Sequence, residues 1–156
     1  VPRVAQLTQK TNQFNLTTRR YTEDQVRGFI ADPAWDVWYL QLQDKIADAG
    51  IVGVAMVRYG DTCAEIDSFL LSCRVLGRGV EEAFLNYVIE SVQSRGIKIL
   101  KGEYIPTAKN KQAVDFYKKQ GFSNNGDPAR WELDLKGHAS RIPGWIKVKS
   151  QIRSTV

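Results

Sequence analysis

The chain has 156 residues, of which 43% are apolar and 25% charged, values typical of one globular domain with a substantial core. It contains no apolar run of membrane-spanning length and no visible signal peptide, which argues against a membrane protein. The two cysteines, Cys63 and Cys73, and the single histidine, His138, lack the spacing of metal ligands. We therefore expect no metal site, no disulfide framework and a cytoplasmic location.

The net charge of +5 is concentrated at the two ends of the chain. Residues 1–20 carry four basic side chains and no acidic one, and residues 135–156 carry five basic side chains and again no acidic one. Basic ends on a mildly acidic body predict a docking surface for an acidic partner, although solvated terminal segments give the same pattern. No compact cluster of basic and aromatic residues is present, so nucleic acid is not an expected partner.

The first part of the chain predicts a short helix, a strand and a second helix. Residues 4–13 fit a short helix, and residues 14–19 alternate between apolar and polar side chains as in a strand. Residues 22–25, Thr-Glu-Asp-Gln, form a capping-box pattern. This pattern predicts a helix that begins there and continues to about Ala31, before Pro33.

The rest of the chain alternates between strand and helix patterns. The predicted elements are strands at 35–43, 51–58, 64–72, 97–104 and 130–135, helices at about 80–95 and 109–120, and an irregular tail at 137–156. The order β-α-β-β-β-α-β-α-β predicts an α/β fold of the α+β type, in which one mixed sheet is flanked by helices.

The most informative motif joins the strand at 64–72 to the helix that follows it. Its pattern is R-x-x-G-x-G, formed by Arg74, Gly77, Arg78 and Gly79. Glycine permits a tight turn and lets an anion approach the backbone. The free N–H groups and the dipole at the start of the helix then favour a bound phosphate. A glycine-rich turn with a purely structural role is the other interpretation.

A second motif lies in the helix predicted at 109–120. Its pattern is N-x5-F-Y-x3-G-F, formed by Asn110, Phe116, Tyr117, Gly121 and Phe122. In this order and spacing the two motifs resemble the acyl-CoA-binding core of the GNAT acyltransferase superfamily. The resemblance covers roughly residues 14–135 and implies the GNAT fold.

Two further segments, QLTQKTNQFN at 6–15 and LSCRVLGRG at 71–79, resemble the C-terminal domain of FkbH-like proteins. In that family a phosphatase-like domain of the haloacid dehalogenase superfamily precedes a GNAT-like domain. The resemblance implies a lead-in segment at 1–13, a GNAT-like domain at 14–136 and a basic tail at 137–156. It also implies a role in polyketide biosynthesis, namely transfer of a glyceryl unit derived from 1,3-bisphosphoglycerate to the phosphopantetheine thiol of an acyl carrier protein.

The resemblance implies a V-shaped opening beside the central strand, where backbone groups pair with the pantetheine arm of a carrier protein or of coenzyme A. The predicted donor-binding residues are Leu70, Leu71, Ser72, Arg74, Gly77, Arg78, Gly79, Val80, Asn110 and Phe116. Backbone amides in the glycine-rich loop would hold phosphate, with Arg74 and Arg78 adding charge-assisted hydrogen bonds. Asn110 would either bond the pantetheine or cap its helix.

Three side chains are predicted to be catalytic. Tyr117 lies where a GNAT tyrosine protonates a leaving thiolate, although a core aromatic is the alternative. Glu65 and Asp67 share one face of the central strand by its two-residue period; a carboxylate there could deprotonate an incoming amine or could simply be exposed. Cys73 could form an acyl intermediate, but a packed small residue is the simpler interpretation.

Two other functions stay open at the level of sequence. An acetyl-CoA-dependent N-acetyltransferase is permitted by the acidic pair Glu65 and Asp67. A non-catalytic docking module for a carrier protein is indicated by the basic ends, because a fold can keep its shape without its chemistry.

Overall fold

The computed structural model describes residues 1–43, 48–77, 79–138 and 148–150. These residues form α1 (Pro2–Lys10), β1 (Phe14–Asn15), α2 (Glu23–Ala31), β2 (Trp35–Gln43), β3 (Asp48–Tyr59), β4 (Cys63–Leu71), α3 (Val80–Ser94), β5 (Ile99–Glu103), α4 (Phe116–Lys119), β6 (Arg130–Asp134) and β7 (Val148–Ser150). Short 3-10 turns at Cys73–Val75 and Lys111–Ala113 precede α3 and α4. None of the described helices is long and apolar enough to cross a membrane.

One mixed sheet forms the centre of the domain, with the strand order β6-β5-β4-β3-β2-β7. Its neighbouring strands are antiparallel except β4 and β5, which run parallel. Parallel neighbours need a crossover connection, and α3 provides it. The short strand β1 lies off this order and pairs with the end of β4. The predicted mixed sheet flanked by helices is confirmed.

Apolar side chains are buried on both faces of the sheet. The larger core lies under α3. The sequence of this helix places Ala83, Phe84, Tyr87, Val88 and Val92 on one face at helical spacing, which predicts a buried face. All of these are buried except Tyr87, which is partly buried. On the opposite face a smaller core joins α1 and α2 to β3 and β4. Leu7 of α1 and Val26 of α2 are buried in this smaller core. The sheet is therefore covered on both sides, as a mixed sheet with a central parallel pair requires.

Several predicted elements are shorter in the structure, among them the strand predicted at 97–104, which is Ile99–Glu103. The difference is greatest for two others. Within the predicted strand at 14–19 only Phe14–Asn15 pairs, because the chain turns at Thr18, whose φ is +59° and whose N–H donates to the Asn15 side chain. The helix predicted at 109–120 is a 3-10 turn followed by the single-turn helix α4. Val114 and Asp115, between these two pieces, have low helix propensity.

The predicted irregular tail contains a strand. Residues 148–150 pair antiparallel with Trp38, Tyr39 and Leu40 on the edge of β2. The prediction was wrong for these residues because a strand of three residues carries almost no periodic signal. The rest of the predicted basic tail, at 139–147 and 151–156, lies outside the described residues.

The predicted capping box at the start of α2 is confirmed. The Oγ1 atom of Thr22 accepts a hydrogen bond from the Gln25 N–H at 3.2 Å, and Oε1 of Gln25 accepts one from the Thr22 N–H at 2.9 Å. Two backbone donors that the helix itself cannot satisfy therefore find partners.

Replacing Thr22 with alanine should lower the free energy of unfolding by about 1 kcal/mol, because the Gln25 N–H loses its acceptor. Thr22→Ser keeps the hydroxyl and should lose clearly less. Urea denaturation followed by circular dichroism measures both values. Equal losses in the two variants would contradict a capping role for the hydroxyl.

Candidate active site

The parallel strands β4 and β5 separate partway along their length. Their last pair is Ile66 opposite Gly102. At the same point β3, on the other edge of β4, shifts its register, since it pairs with Ile66 and next with Ser68. The residue passed over is Asp67, which forms a β-bulge. A bulge bends its strand and redirects side chains, and such features are frequent beside functional sites.

The gap beyond this separation is filled by the chain's own residues. β1 pairs antiparallel with β4, Phe14 opposite Leu71 and Asn15 opposite Leu70. Because β3 already pairs with the same two residues of β4, β1 must lie on the other edge, where β5 pairs earlier in the strand. We call residues 14–17, Phe-Asn-Leu-Thr, the insert segment.

The insert segment joins both sides of the gap. The Leu16 N–H donates to the carbonyl oxygen of Phe69 in β4 at 3.2 Å, and the Leu16 carbonyl accepts from the N–H of Ile105, just after β5, at 2.8 Å. Phe14 and Leu16 are only 6% and 0% exposed. Burying side chains of this size stabilises a fold by about 1.5–3 kcal/mol each. The resemblance implied an open cleft at this place, whereas the structure has it closed by apolar residues of the same chain.

The predicted base Asp67 is surrounded by hydrogen-bond donors. Its carboxylate accepts from the Tyr21 hydroxyl at 2.6 Å, the Ser68 hydroxyl at 2.9 Å and the Arg19 guanidinium at 3.3 Å. Its carbonyl oxygen accepts from Thr17 and from Arg19, each at 2.8 Å. A carboxylate with three donors has little acceptor capacity left for the proton of a nucleophile. Asp67 could therefore serve as a base only after Arg19 has moved away.

Arg19 connects β4 and β5 across the gap. Its guanidinium pairs with Asp67 at 3.3 Å and with Glu103 at 2.8 Å, and its side chain is 32% exposed. Burial lowers the pKa of Arg19, but the hydrogen bond to Glu103 and the charges of both carboxylates raise it by more, so the group stays charged. This role was not predicted from the sequence, because both partners are distant along the chain.

The second predicted base, Glu65, lies on the same face of β4 as Asp67, as the two-residue period predicts. Its neighbours Ala64 and Ile66 face the larger core. Glu65 forms an ion pair with Arg58 of β3 at 3.0 Å. Each of the two predicted bases thus has an arginine as partner.

Tyr117 is buried beside the point where the strands separate. A Cβ on Gly102, the last β5 residue paired with β4, would lie 2.5 Å from Cζ of Tyr117, so only glycine leaves room for the ring. The Tyr117 hydroxyl has no hydrogen-bond partner within the described part of the chain. Burial, and then the charges of Glu103 and Glu65, raise the pKa of Tyr117. The phenol therefore keeps its proton and could act as an acid but not as a base.

The hydrogen-bonding groups of the Asn110 side chain are used by other residues of this chain. Its Nδ2 atom donates to the carbonyl oxygens of Asn15 and Ile105, at 2.9 Å each, and its Oδ1 atom accepts from the Thr107 N–H at 2.7 Å and the Tyr104 hydroxyl at 3.1 Å. It forms no side-chain cap on the turn that follows, so the capping alternative is wrong. Through its hydrogen bond to the Asn15 carbonyl oxygen, Asn110 helps to hold the insert segment in place.

The glycine-rich loop has the backbone that the sequence predicts. Gly77 and Gly79 have φ of +83° and +74°, and a Cβ at either would meet nothing within 4 Å. Glycine is thus required by the backbone conformation rather than by lack of room. Gly79 is the N-cap of α3 and offers no side chain to the first N–H groups of the helix. Those donors are left for water or an anion.

Charges near this loop are mixed. The first turn of α3 carries Glu81 and Glu82, whose carboxylates complement the helix dipole and would repel a second anion. Arg74 is exposed and its Nε atom donates to Oγ of Ser72 at 3.5 Å. Arg78 lies outside the described residues. A phosphate contact from the two arginines stays a prediction.

The other predicted donor-binding residues are core residues. Leu70, Leu71 and Val80 are fully buried, and the ring of Phe116 meets that of Phe14 edge-on at 5.0 Å. Their side chains serve packing, so only their backbone groups could bind a ligand. Cys73 is exposed. Among the described residues, no group of three His, Cys, Asp or Glu side chains could hold a metal ion.

A model of the Acetyltransferase (GNAT) family matches residues 2–122. Since this match covers well over half of the sequence, the chain belongs to the GNAT acetyltransferase family. A search of curated protein sequences finds no significant match. Membership supports acyltransferase activity in general and leaves the acyl group and the acceptor undefined.

Solved structures share the fold at low sequence identity. The ribosomal-protein-S18-alanine N-acetyltransferase from Escherichia coli is 14% identical, with a TM-score of 0.58 over 86% of this chain and 84% of that protein. Rv2747 from Mycobacterium tuberculosis, solved in complex with CoA, is 12% identical, with a TM-score of 0.59 over 78% of this chain and 65% of that protein. A GNAT family protein from Desulfovibrio desulfuricans is 19% identical, with a TM-score of 0.48 over 57% of this chain and 64% of that protein. The chain thus spans less than two thirds of the last two proteins. At these identities the likeness to the E. coli and M. tuberculosis proteins shows the fold alone.

Tyr117→Phe should leave the free energy of unfolding unchanged or raise it by up to about 1 kcal/mol, because it removes a buried hydroxyl that has no partner. The pH dependence should also change. The folded-state pKa of Tyr117 is raised above its ordinary value of 10.0, so the stability it contributes is full below that pH and is lost above it. The variant should therefore lose less stability than the wild type between about pH 8 and about pH 11. Urea denaturation at both pH values tests this, and parallel losses would contradict it.

Proposed function

We propose that this chain is the GNAT-like domain of an FkbH-like protein and serves the transfer of a glyceryl unit to the phosphopantetheine thiol of an acyl carrier protein. A haloacid dehalogenase-like domain of the same polypeptide would supply the glyceryl unit from 1,3-bisphosphoglycerate. Membership of the GNAT family supports the acyl-transfer part of this proposal. The FkbH-like segments in the sequence support the particular acyl group and acceptor.

The observation that carries the proposal is the Tyr117 hydroxyl. A buried hydroxyl without a partner destabilises a fold, so its presence is accounted for most simply by a role outside folding. Tyr117 lies against Gly102, beside the separation of β4 and β5. Its raised pKa keeps the phenol protonated. When the pantetheine thiol attacks the glyceryl carbonyl and forms the thioester, Tyr117 could therefore give its proton to the group that leaves the carbonyl carbon.

The remaining roles follow from the same geometry. The N–H groups at the start of α3, beside Gly79, would receive the phosphate of the pantetheine arm. Asp67 would take the proton of an incoming nucleophile once the donors around it have withdrawn. A thiol acceptor makes a smaller demand on a base than an amine does, because it ionises more easily. The cofactor would be the phosphopantetheine of the carrier protein, which accepts the glyceryl unit, with coenzyme A as the alternative. The CoA complex of the M. tuberculosis protein supports a ligand that carries this arm.

Two other functions have some support. An acetyl-CoA-dependent N-acetyltransferase is supported by the family match and by the E. coli relative, which is named for that activity. A non-catalytic docking module for the carrier protein is supported by the filled gap beside β4, where the donor arm would lie. At least two of the four basic side chains in residues 1–20 have partners within the domain. Arg19 is paired with two carboxylates, and the Arg20 guanidinium bonds to the carbonyl oxygens of Thr8 and Thr11.

In the full-length protein, Tyr117→Phe should slow glyceryl loading of the carrier protein by about a hundredfold, because the group displaced from the glyceryl carbonyl by the pantetheine thiol loses its proton donor. Intact-mass spectrometry of the carrier protein measures loading. Unchanged loading in a variant of unchanged stability would remove the general-acid role and favour the docking module.

Gly79→Trp should reduce loading at least about tenfold, because the bulky side chain covers the N–H groups that would receive phosphate. Gly96→Trp is a matched control. Gly96 follows the other end of α3, has a similar φ of +81°, and a Cβ there also meets nothing within 4 Å. If only backbone strain is involved, the control variant should load the carrier protein at a rate within about twofold of wild type. Similar loading by both variants would argue against a phosphate site at Gly79.

A further inference from the structure

We infer that the insert segment is a displaceable occupant of the donor site, so that a pantetheine arm enters only after residues 14–17 have left the edge of β4. This inference concerns the regulation of the proposed site and rests on the proposed function. It adds a conformational step that the sequence motifs do not contain.

The insert segment and a pantetheine arm would compete for one edge of β4. β3 occupies one edge along the strand, and β1 pairs with Leu70 and Leu71 on the other. The Phe69 carbonyl, next along this edge, accepts from the Leu16 N–H. A strand edge has one set of hydrogen-bonding groups, so an arm and the insert segment cannot use it together.

Hydrogen bonds within the insert segment and its flanks would let it move as a unit. Within it and its flanks, the Asn15 side chain donates to the Thr11 carbonyl oxygen at 3.1 Å and accepts from the Thr18 N–H at 2.9 Å. These hydrogen bonds would stay intact when the segment moves. Thr18 has a positive φ of +59°, a strained conformation for a β-branched residue, which departure from β4 would relieve.

The ends of the loop have fastenings to α1 in addition to the hydrogen bond from the Tyr21 hydroxyl to Asp67 of β4. Arg20 donates to the carbonyl oxygens of Thr8 and Thr11 at the end of α1, and Tyr21 donates its N–H to the Thr8 hydroxyl. Since α1 ends at Lys10 and α2 begins at Glu23, the middle of this loop can lift away without unwinding either helix.

Displacement would also change the partners of the candidate base. Thr17 donates to the Asp67 carbonyl oxygen, and Arg19 pairs with the Asp67 carboxylate and with Glu103 on β5. Arg19 is two residues beyond the insert segment, so departure of the segment would draw it away from both carboxylates. Entry of the pantetheine arm and loss of the Arg19 ion pair thus become one event, while Tyr21 and Ser68 still donate to the Asp67 carboxylate.

The segment therefore sets the apparent affinity for a donor. A ligand that binds only the open form has its dissociation constant divided by the open fraction. Leu16 is fully buried in the closed form and leaves the core in the open form. Leu16→Ala destabilises the closed form alone, so it should tighten binding of coenzyme A at least about tenfold. Arg19→Gln, which breaks partly exposed ion pairs, should tighten it by about threefold.

Calorimetric titration with coenzyme A measures these affinities, and hydrogen exchange read by NMR reports the segment directly. Leu85→Ala is the matched control, since Leu85 is equally buried in the same core but belongs to α3. It should bind coenzyme A within about twofold of wild type. On saturation, the N–H groups of Leu16 and Ile105 should lose protection while those of the β3–β4 pairing keep it.

Two results would overturn the inference. One is coenzyme A binding with undiminished protection of the Leu16 and Ile105 amides. The other is no binding by the wild type, by Arg19→Gln or by a folded Leu16→Ala, which would make the segment a permanent strand. Glyceryl loading is a separate readout: displacement by coenzyme A without any loading would refute the proposed function alone, and loading without displacement would refute this inference alone.

Discussion

The hydrogen-bonding capacity of β4 is limited to two edges, and the arrangement of this domain depends on how those edges are shared. β3 takes one of them. The other is divided at the bulge of Asp67, with β5 before it and the insert segment after it. Once this division is made, Phe14 and Leu16 complete the larger core and Arg19 reaches the carboxylates of both strands.

This division creates a conflict between stability and donor binding. The proposed function requires a pantetheine arm beside β4, and the apolar core of this chain is completed at the same place. Burial of two large side chains favours the closed arrangement, and the hydrogen bonds of Leu16 and Asn15 reinforce it. A donor must offset that free energy before it gains any net binding. Under the proposed function, binding of a pantetheine arm is thus set by a difference in free energy between two occupants of one strand edge.

Local patterns in the sequence predicted much of the fold. The capping box of α2, the apolar face of α3 and the positive φ at Gly77 and Gly79 each depend on a few neighbouring residues, and each is found in the structure. The core strand β4 was predicted to within one residue at each end. These features could be predicted because helix periodicity, capping and glycine conformation are determined within a few residues.

The site itself depends on pairings between distant residues, and there the sequence was less informative. Residues 14–17 alternate as a strand does, but alternation does not reveal which strand they join. Asn110 fits the donor-binding pattern, yet its amide is used by Asn15 and Ile105. Arg19 was counted as part of a basic end, although its partners lie on β4 and β5. In each case a long-range contact, invisible to spacing, decides the role of the residue.

The position of β1 also bears on how the chain folds. Its binding place is made by Phe69 of β4 and by Ile105 beyond β5, so β1 cannot dock until both have been brought together. Closing loops of this length is slow compared with forming α1 or α2. During synthesis, Phe14 and Leu16 would emerge from the ribosome before Phe69 and Ile105 and stay unburied until those residues had followed. Within this domain, the residues that complete the core are thus made before the strands that bury them, and in that interval they form an apolar segment that a chaperone could bind.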